Sequence, residues 1–150
     1  MAEQDQRLWD AAMIAEAEGL LRAAGAMGRI GRFQLEAAIQ SAHVHRCASG
    51  VGNWEHVLRL YDALFTVHAS PVVAVNRAIA LAEVRCSAAG LAALDAVDLP
   101  EYQPYWAARA ELLSRAGRRE EADFAYQRAI GLERDPAVRA FLQGRANRSR

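Results

Sequence analysis

Residues 106–136 read WAARAELLSRAGRREEADFAYQRAIGLERDP. The stretch has the layout of a helix pair. A Trp stands early in a first helix and Gly117 breaks the chain. Ala122 and Tyr126 follow four residues apart, on one face of a second helix, and Pro136 closes the unit. Ala122 and Ala129 are small enough to let the two helices approach closely. Trp106, Leu113 and Tyr126 fill the space around them.

This layout resembles the tetratricopeptide repeat, with Trp106, Gly117, Ala122, Tyr126, Ala129 and Pro136 at the matching positions. Three positions depart from it. Arg109 and Ala110 stand where Leu-Gly is expected, Leu113 stands where Tyr is, and the proline comes late. The register recurs upstream. Val57, Gly90 and Ala122 lie 33 and 32 residues apart, as do Tyr61, Leu94 and Tyr126, and Leu64, Val97 and Ala129. The repeat period is about 34. The expectation is an all-α fold: three tetratricopeptide-like helix pairs, a capping helix at each end, and a right-handed superhelical stack. Residues 1–150 are read as a single helical-repeat domain.

The rest of the chain fits about eight helices. A first helix is expected from about Gln6 to Ala24, with Leu8, Met13, Ala17, Leu20 and Leu21 toward the core. Gly25, Gly28 and Gly31 then interrupt. A second helix runs from about Arg32 to Arg46, and CASGVGN (47–53) is a loop ending on Asn53 as N-cap. A third runs from Trp54 to about His68. Ser70 caps a fourth, with Pro71 at its tolerated first position, ending near Arg85. Ser87 caps a short fifth helix to about Val97. DLPEYQP (98–104) is a loop, and a sixth helix runs to Ala116. The seventh spans Arg119 to Leu132, and Asp135-Pro136 starts the last. The basic tail GRANRSR (144–150) is expected to fray. Nothing alternates as a strand does.

Composition narrows the function. The chain has 150 residues, 53% apolar, with 18 basic and 18 acidic side chains. A zero formal charge argues against a dedicated nucleic-acid or membrane surface. Every basic residue is Arg. Cys47 and Cys86 form no C-x-x-C pair, which fits a reducing cytoplasm. No window has the apolar length of a membrane span. His43 and Cys47 share a helix face near His45, but zinc needs further ligands, so no metal is expected. No serine sits in a nucleophile elbow, and no glycine-rich phosphate loop follows a strand. The expectation is not an enzyme, with no catalytic residue and no cofactor.

PVVAVNRAIALAEV (71–84) sets Asn76 and Arg77 in a mostly apolar helix. A buried amide or guanidinium must be hydrogen-bonded. Arg77 can pair with Glu83 or another helix's carboxylate and Asn76 can tie down a loop, or both can face a groove. Asn76-Arg77-Ala78 is similar to a run with which some peptide-binding tetratricopeptide domains hold a terminal carboxylate. The next repeat offers Pro104, Ala107 and Ala108 where basic partners are needed, so that clamp is not carried over. Repeat domains bind through side chains on the first helix of each pair. The candidates for a groove or partner site are therefore Gln34, His43, Asn76, Arg77, Tyr105, Arg109 and Glu111.

Six strings carry a wider resemblance: LWDAAMIAEAEGLL (8–21), FQLEAAIQSAH (33–43), NWEHVLRLYDAL (53–64), SPVVAVNRAIALAEV (70–84), GLAALDAV (90–97) and YWAARAELLSRAGRREEADFAYQRAI (105–130). In this order the chain resembles the C-terminal extension of a group of bacterial extracytoplasmic-function RNA polymerase sigma factors. The likeness covers about Gln4 to Leu142. His45-Arg46-Cys47 and the short glycine loop replace a longer, more acidic connection. The resemblance implies a regulatory domain that modulates transcription initiation through protein contacts. Its implied partners are the sigma core regions and RNA polymerase, with a peptide or regulatory protein in the groove. It implies no direct nucleic-acid binding by this segment. A free-standing scaffold or dimerisation module stays open. So does a small-molecule sensor, which a deep cavity lined by Tyr105, Trp106 and Arg109 would favour.

Overall fold

The computed structural model describes residues 8–49 and 52–149. Among these residues the chain is all-α, with no strand. The helices are α1 (Ala11–Ala26), α2 (Arg32–Ser49), α3 (Trp54–Val67), α4 (Pro71–Val84), α5 (Ser87–Asp95), α6 (Gln103–Arg115), α7 (Arg119–Leu132) and α8 (Pro136–Ser149). The repeat register treats 1–150 as one domain. The folded chain divides into two compact units, one ending at His68 and one beginning at Ala69.

In the first unit α1 packs on α2, and α2 on α3. The first helix begins later than Gln6. Asp10 caps it, its Oδ1 accepting the N–H groups of Ala12 at 2.9 Å and Met13 at 3.0 Å. Leu8 and Trp9 therefore precede the helix, and Gln6 and Arg7 lie outside the described residues. Its inner face is also shifted. Met13 and Leu20 are 67% exposed, and Leu8 and Ala17 are exposed too. Leu21 is half-buried against α2 as expected, and half-buried Ile14 and Glu18 join it there. Ile14 and Glu18 each follow an expected residue by one position, about 100° of helix rotation.

The second helix continues through Cys47, Ala48 and Ser49, so the expected loop is shorter at its start; Gly50 and Val51 lie outside the described residues. At the head of α2, Gln34 Oε1 accepts the Gly31 N–H at 2.8 Å. This is half of a capping box. Asn53 stands at the cap of α3 but makes no side-chain cap bond. Its amide donates instead to the Ala42 carbonyl on α2 at 3.1 Å, fastening the two helices.

The second unit holds two helix pairs and α8. α4 packs on α5, α6 on α7, α5 and α4 on α6, and α7 on α8. Ser70 caps α4 as expected, accepting the Val73 N–H at 3.2 Å, with Pro71 in the first turn. Cys86 rather than Ser87 holds the cap position of α5. Pro104, expected in the loop, lies in the first turn of α6, where its missing N–H is not needed. The α6–α7 turn falls at Gly117, whose φ is 74°. The Gly117 N–H donates to Ser114 and the Arg118 N–H to Leu113, each at 3.0 Å. This is the Schellman arrangement, which requires a left-handed residue and so favours glycine.

The register residues are the packing residues. Val57, Gly90 and Ala122 are all buried, and Leu94, Tyr126 and Ala129 with them. Gly90 marks a close approach of α5 to α4. A Cβ there would lie 2.6 Å from the Ala82 methyl and 2.9 Å from the Ala78 carbonyl oxygen. The expected frayed tail is corrected: residues 144–149 are the last turns of α8. Ala146 is buried and Arg145 is held by Glu111. Arg150 lies outside the described residues.

Candidate functional site

The segment between α5 and α6 is fastened by Trp106. Its indole N–H donates to the Pro100 carbonyl at 2.8 Å. Arg128 of α7 also reaches that carbonyl, at 3.4 Å, and lies over the Trp106 ring, 5.3 Å from its centre. Tyr105 and Phe124 meet the same ring edge-on, with centroids 5.3 and 6.0 Å away. These contacts stabilise one conformation of the connection and leave a cleft of about 650 Å³ beside it.

The cleft is built from the end of α5, the α5–α6 connection, α6 and the first turns of α7. Four carboxylates line it, Asp95, Asp98, Glu120 and Glu121, against one guanidinium, Arg109. Tyr105, Trp106 and Phe124 supply aromatic wall. Phe124 is 61% exposed, an unusual position for a large aromatic ring. Glu120 and Phe124 are four apart on α7 and so share a face.

Two of the carboxylates are paired. Arg109 donates to Asp95. Burial pushes the Arg109 guanidinium down, but hydrogen bonds and charge from Asp95, with Tyr105 adding, carry it above its usual value. Arg118 grips Glu121 with both ends of its fork, at 2.6 and 2.5 Å, and that hydrogen bonding holds Glu121 below the usual carboxylate range. The side chains of Asp98 and Glu120 make no hydrogen bond or ion pair with any described residue. The cleft therefore presents unpaired negative charge beside bare aromatic surface.

Of the residues singled out from sequence, Tyr105 and Arg109 line this cleft. The others do not. Glu111 is a hub on the far side of α6. It accepts from Arg115 at 3.2 Å, from the Tyr126 hydroxyl at 3.2 Å, and from Arg145. Asn76 is half-buried and donates back to the Val72 carbonyl of its own helix at 3.0 Å. Arg77 is half-buried on α4 and has a partner. Glu83 pairs with Arg115 at 2.6 Å. Gln34 is spent on the head of α2 and donates to the Arg29 carbonyl at 2.8 Å.

His43 packs edge-on against Trp54, with ring centroids 5.8 Å apart. Arg46 stacks on the same Trp at 4.5 Å. Burial, with Arg46 nearby, lowers the His43 pKa below 6.5. Among the described residues no three His, Cys, Asp or Glu side chains gather as a metal site would need. None of the described helices is long and apolar enough to cross a membrane. A second cavity of about 340 Å³ lies between α1 and α2, lined mainly by Ile14, Ala17, Leu21, Ala37 and Val44.

The sequence reading missed Asp98, Glu120 and Phe124. It placed the groove on the first helices of the pairs, whereas this cleft also takes a connection and the second helix. The available signal was the Glu120–Phe124 spacing on α7, an acid and an aromatic on one exposed face.

Over 145 residues the chain is 34% identical to an uncharacterized protein of Rhizobium meliloti (strain 1021), a match over 95% of this chain. The chain spans about a third of the length of that curated relative, 34%. No family model matches the chain. No solved structure matches it.

Proposed function

We propose that this chain is a regulatory protein-interaction domain of an extracytoplasmic-function sigma factor. It is not an enzyme and acts in the cytoplasm, modulating transcription initiation through protein contacts. The cleft between α5, α6 and α7 is its partner site. The observation that carries the interaction reading is the cleft itself, with Tyr105 and Arg109 in its lining and Asp98 and Glu120 unpaired. The tie to transcription is supported by the six ordered strings. It fits a relative in which the matched segment is 34% of the length.

The test is reconstituted transcription. RNA polymerase and the sigma regions encoded with this segment are assayed with the segment present, deleted, or carrying Asp98→Asn and Glu120→Gln. Deletion is expected to change promoter-specific transcript severalfold, and the double variant to change it in the same direction. Unchanged transcript on deletion would overturn the regulatory reading, as would a gene encoding no sigma regions.

A small-molecule sensor is the second reading. It is favoured by one observation, that Tyr105, Trp106 and Arg109 line a cavity of this size.

A further inference from the structure

The cleft's chemistry specifies what it takes. It offers two open contacts: the exposed ring of Phe124 and the unpaired carboxylates of Asp98 and Glu120. A ligand satisfying both needs an apolar stem and a cationic head. Arg and Lys side chains have that build. Arg fits better, because its flat guanidinium stacks on aromatic faces and meets carboxylates with two parallel bonds. Parts of this chemistry already occur in and beside the cleft. Arg128 lies over Trp106 with its guanidinium 3.9 Å from Glu101, and Arg109 donates to Asp95.

Shape decides between a free cation and a chain segment. Small-molecule sites enclose most of their ligand. This cleft has exposed walls, with Phe124 at 61% and Asp95 and Glu121 side chains at 59% and 53%. A ligand lying there stays open to water along one side, as a strand or loop of a partner does.

We propose that the α5–α6–α7 cleft binds an arginine-bearing segment of a partner protein, with the guanidinium held by Asp98 and Glu120 and its stem against Phe124. The inference rests on the reading of this cleft as the partner site, and not on the tie to transcription.

The test is titration of the ¹⁵N-labelled chain with four probes: a capped peptide of alternating Arg and Ala, its Lys and Glu counterparts, and N-acetyl-arginine amide. The expected result is amide shifts confined to the α5–α6 connection, α6 and the first turns of α7. The Arg peptide should bind most tightly, the Lys peptide less so, and the Glu peptide not at all. Asp98→Asn with Glu120→Gln should weaken the Arg peptide about tenfold while the spectrum stays folded. Both residues carry exposed side chains, so the fold does not depend on them. Equal affinity of the double variant would overturn the proposal. So would shifts spread over acidic patches of both units. Equal affinity for N-acetyl-arginine amide and the peptide would overturn the segment and favour a small cation. Peptide binding with no effect in the transcription assay would support this inference and sink the regulatory reading alone.

Discussion

Glu111 on α6 and Arg145 near the end of α8 form an ion pair, although the two residues are 34 positions apart in the chain. The same carboxylate accepts from Arg115 and Tyr126, so one side chain joins α6, α7 and α8. Glu111→Gln keeps the shape but removes the negative charge to which Arg115 and Arg145 donate. The expected loss is about 1–3 kcal/mol at neutral pH, read by urea denaturation.

The same site predicts an acid effect. Burial pushes the Glu111 carboxyl up, but the bonds and charge from Arg145, with Arg115 and Tyr126, outweigh it and carry the pKa below 4.5. A carboxyl depressed in the folded state stabilises fully above its unfolded value and loses that stabilisation as pH falls through the folded one. Stability should therefore drop as pH falls below about 4.5. Glu111→Gln should show a shallower drop over the same range.

Gly90→Ala tests the α4–α5 crossing. A helix interior normally gains about 1 kcal/mol from this exchange. Here the new methyl would meet Ala82 at 2.6 Å and the Ala78 carbonyl at 2.9 Å, and neither is a flexible side-chain end. The clash should outweigh the gain, for a net loss of about 1–2 kcal/mol in thermal or urea unfolding. Ala82→Gly in the same chain should recover part of it, and simple additivity of the two changes would contradict the contact.

Gly117→Ala isolates backbone conformation. A Cβ at Gly117 would touch nothing within 4 Å, so only its φ of 74° matters. The expected cost is about 1–2 kcal/mol. Gly131, in α7 and equally open, should gain stability on the same substitution, and a loss there would weaken the argument.

His43 predicts a milder pH effect in the first unit. Its folded pKa lies below 6.5 because burial, and Arg46 nearby, disfavour the imidazolium. The unfolded chain then binds the proton more readily. Stability is full above 6.5 and declines as pH falls from there toward the lower folded value. His43→Gln should flatten the unfolding midpoint between about pH 5 and 7, while an unchanged slope would place the effect elsewhere.

The α6–α7 pair was readable in the sequence because its signals are local. Gly117, Ala122 and Tyr126 specify a turn and a packing face within ten or so residues. Of the upstream register residues, Val57, Gly90 and Leu94 are buried, while Tyr61 and Val97 are half-buried. The face of α1 was misjudged because it buries nothing completely, so its apolar residues do not mark one side cleanly. The end of α8 was misjudged because its basic residues read as solvated, while Arg145 finds Glu111 across the fold. The cleft was legible only in part. Tyr105 and Arg109 sit on a recognisable first helix, but Asp98 lies in a connection. It comes to line one cleft with Glu120 and Phe124 only through tertiary packing, which periodicity does not carry.

None of α1's residues is buried. Its hold on α2 rests on half-buried Ile14 and Leu21, with Glu18 accepting from Ser41 at 3.1 Å. Helices anchored this lightly open without waiting for global unfolding. The amides of α1 should therefore exchange with deuterium early and together. Those of Ala110, Leu112 and Leu113, at the centre of the second unit, should hold their protons until that unit unfolds as a whole.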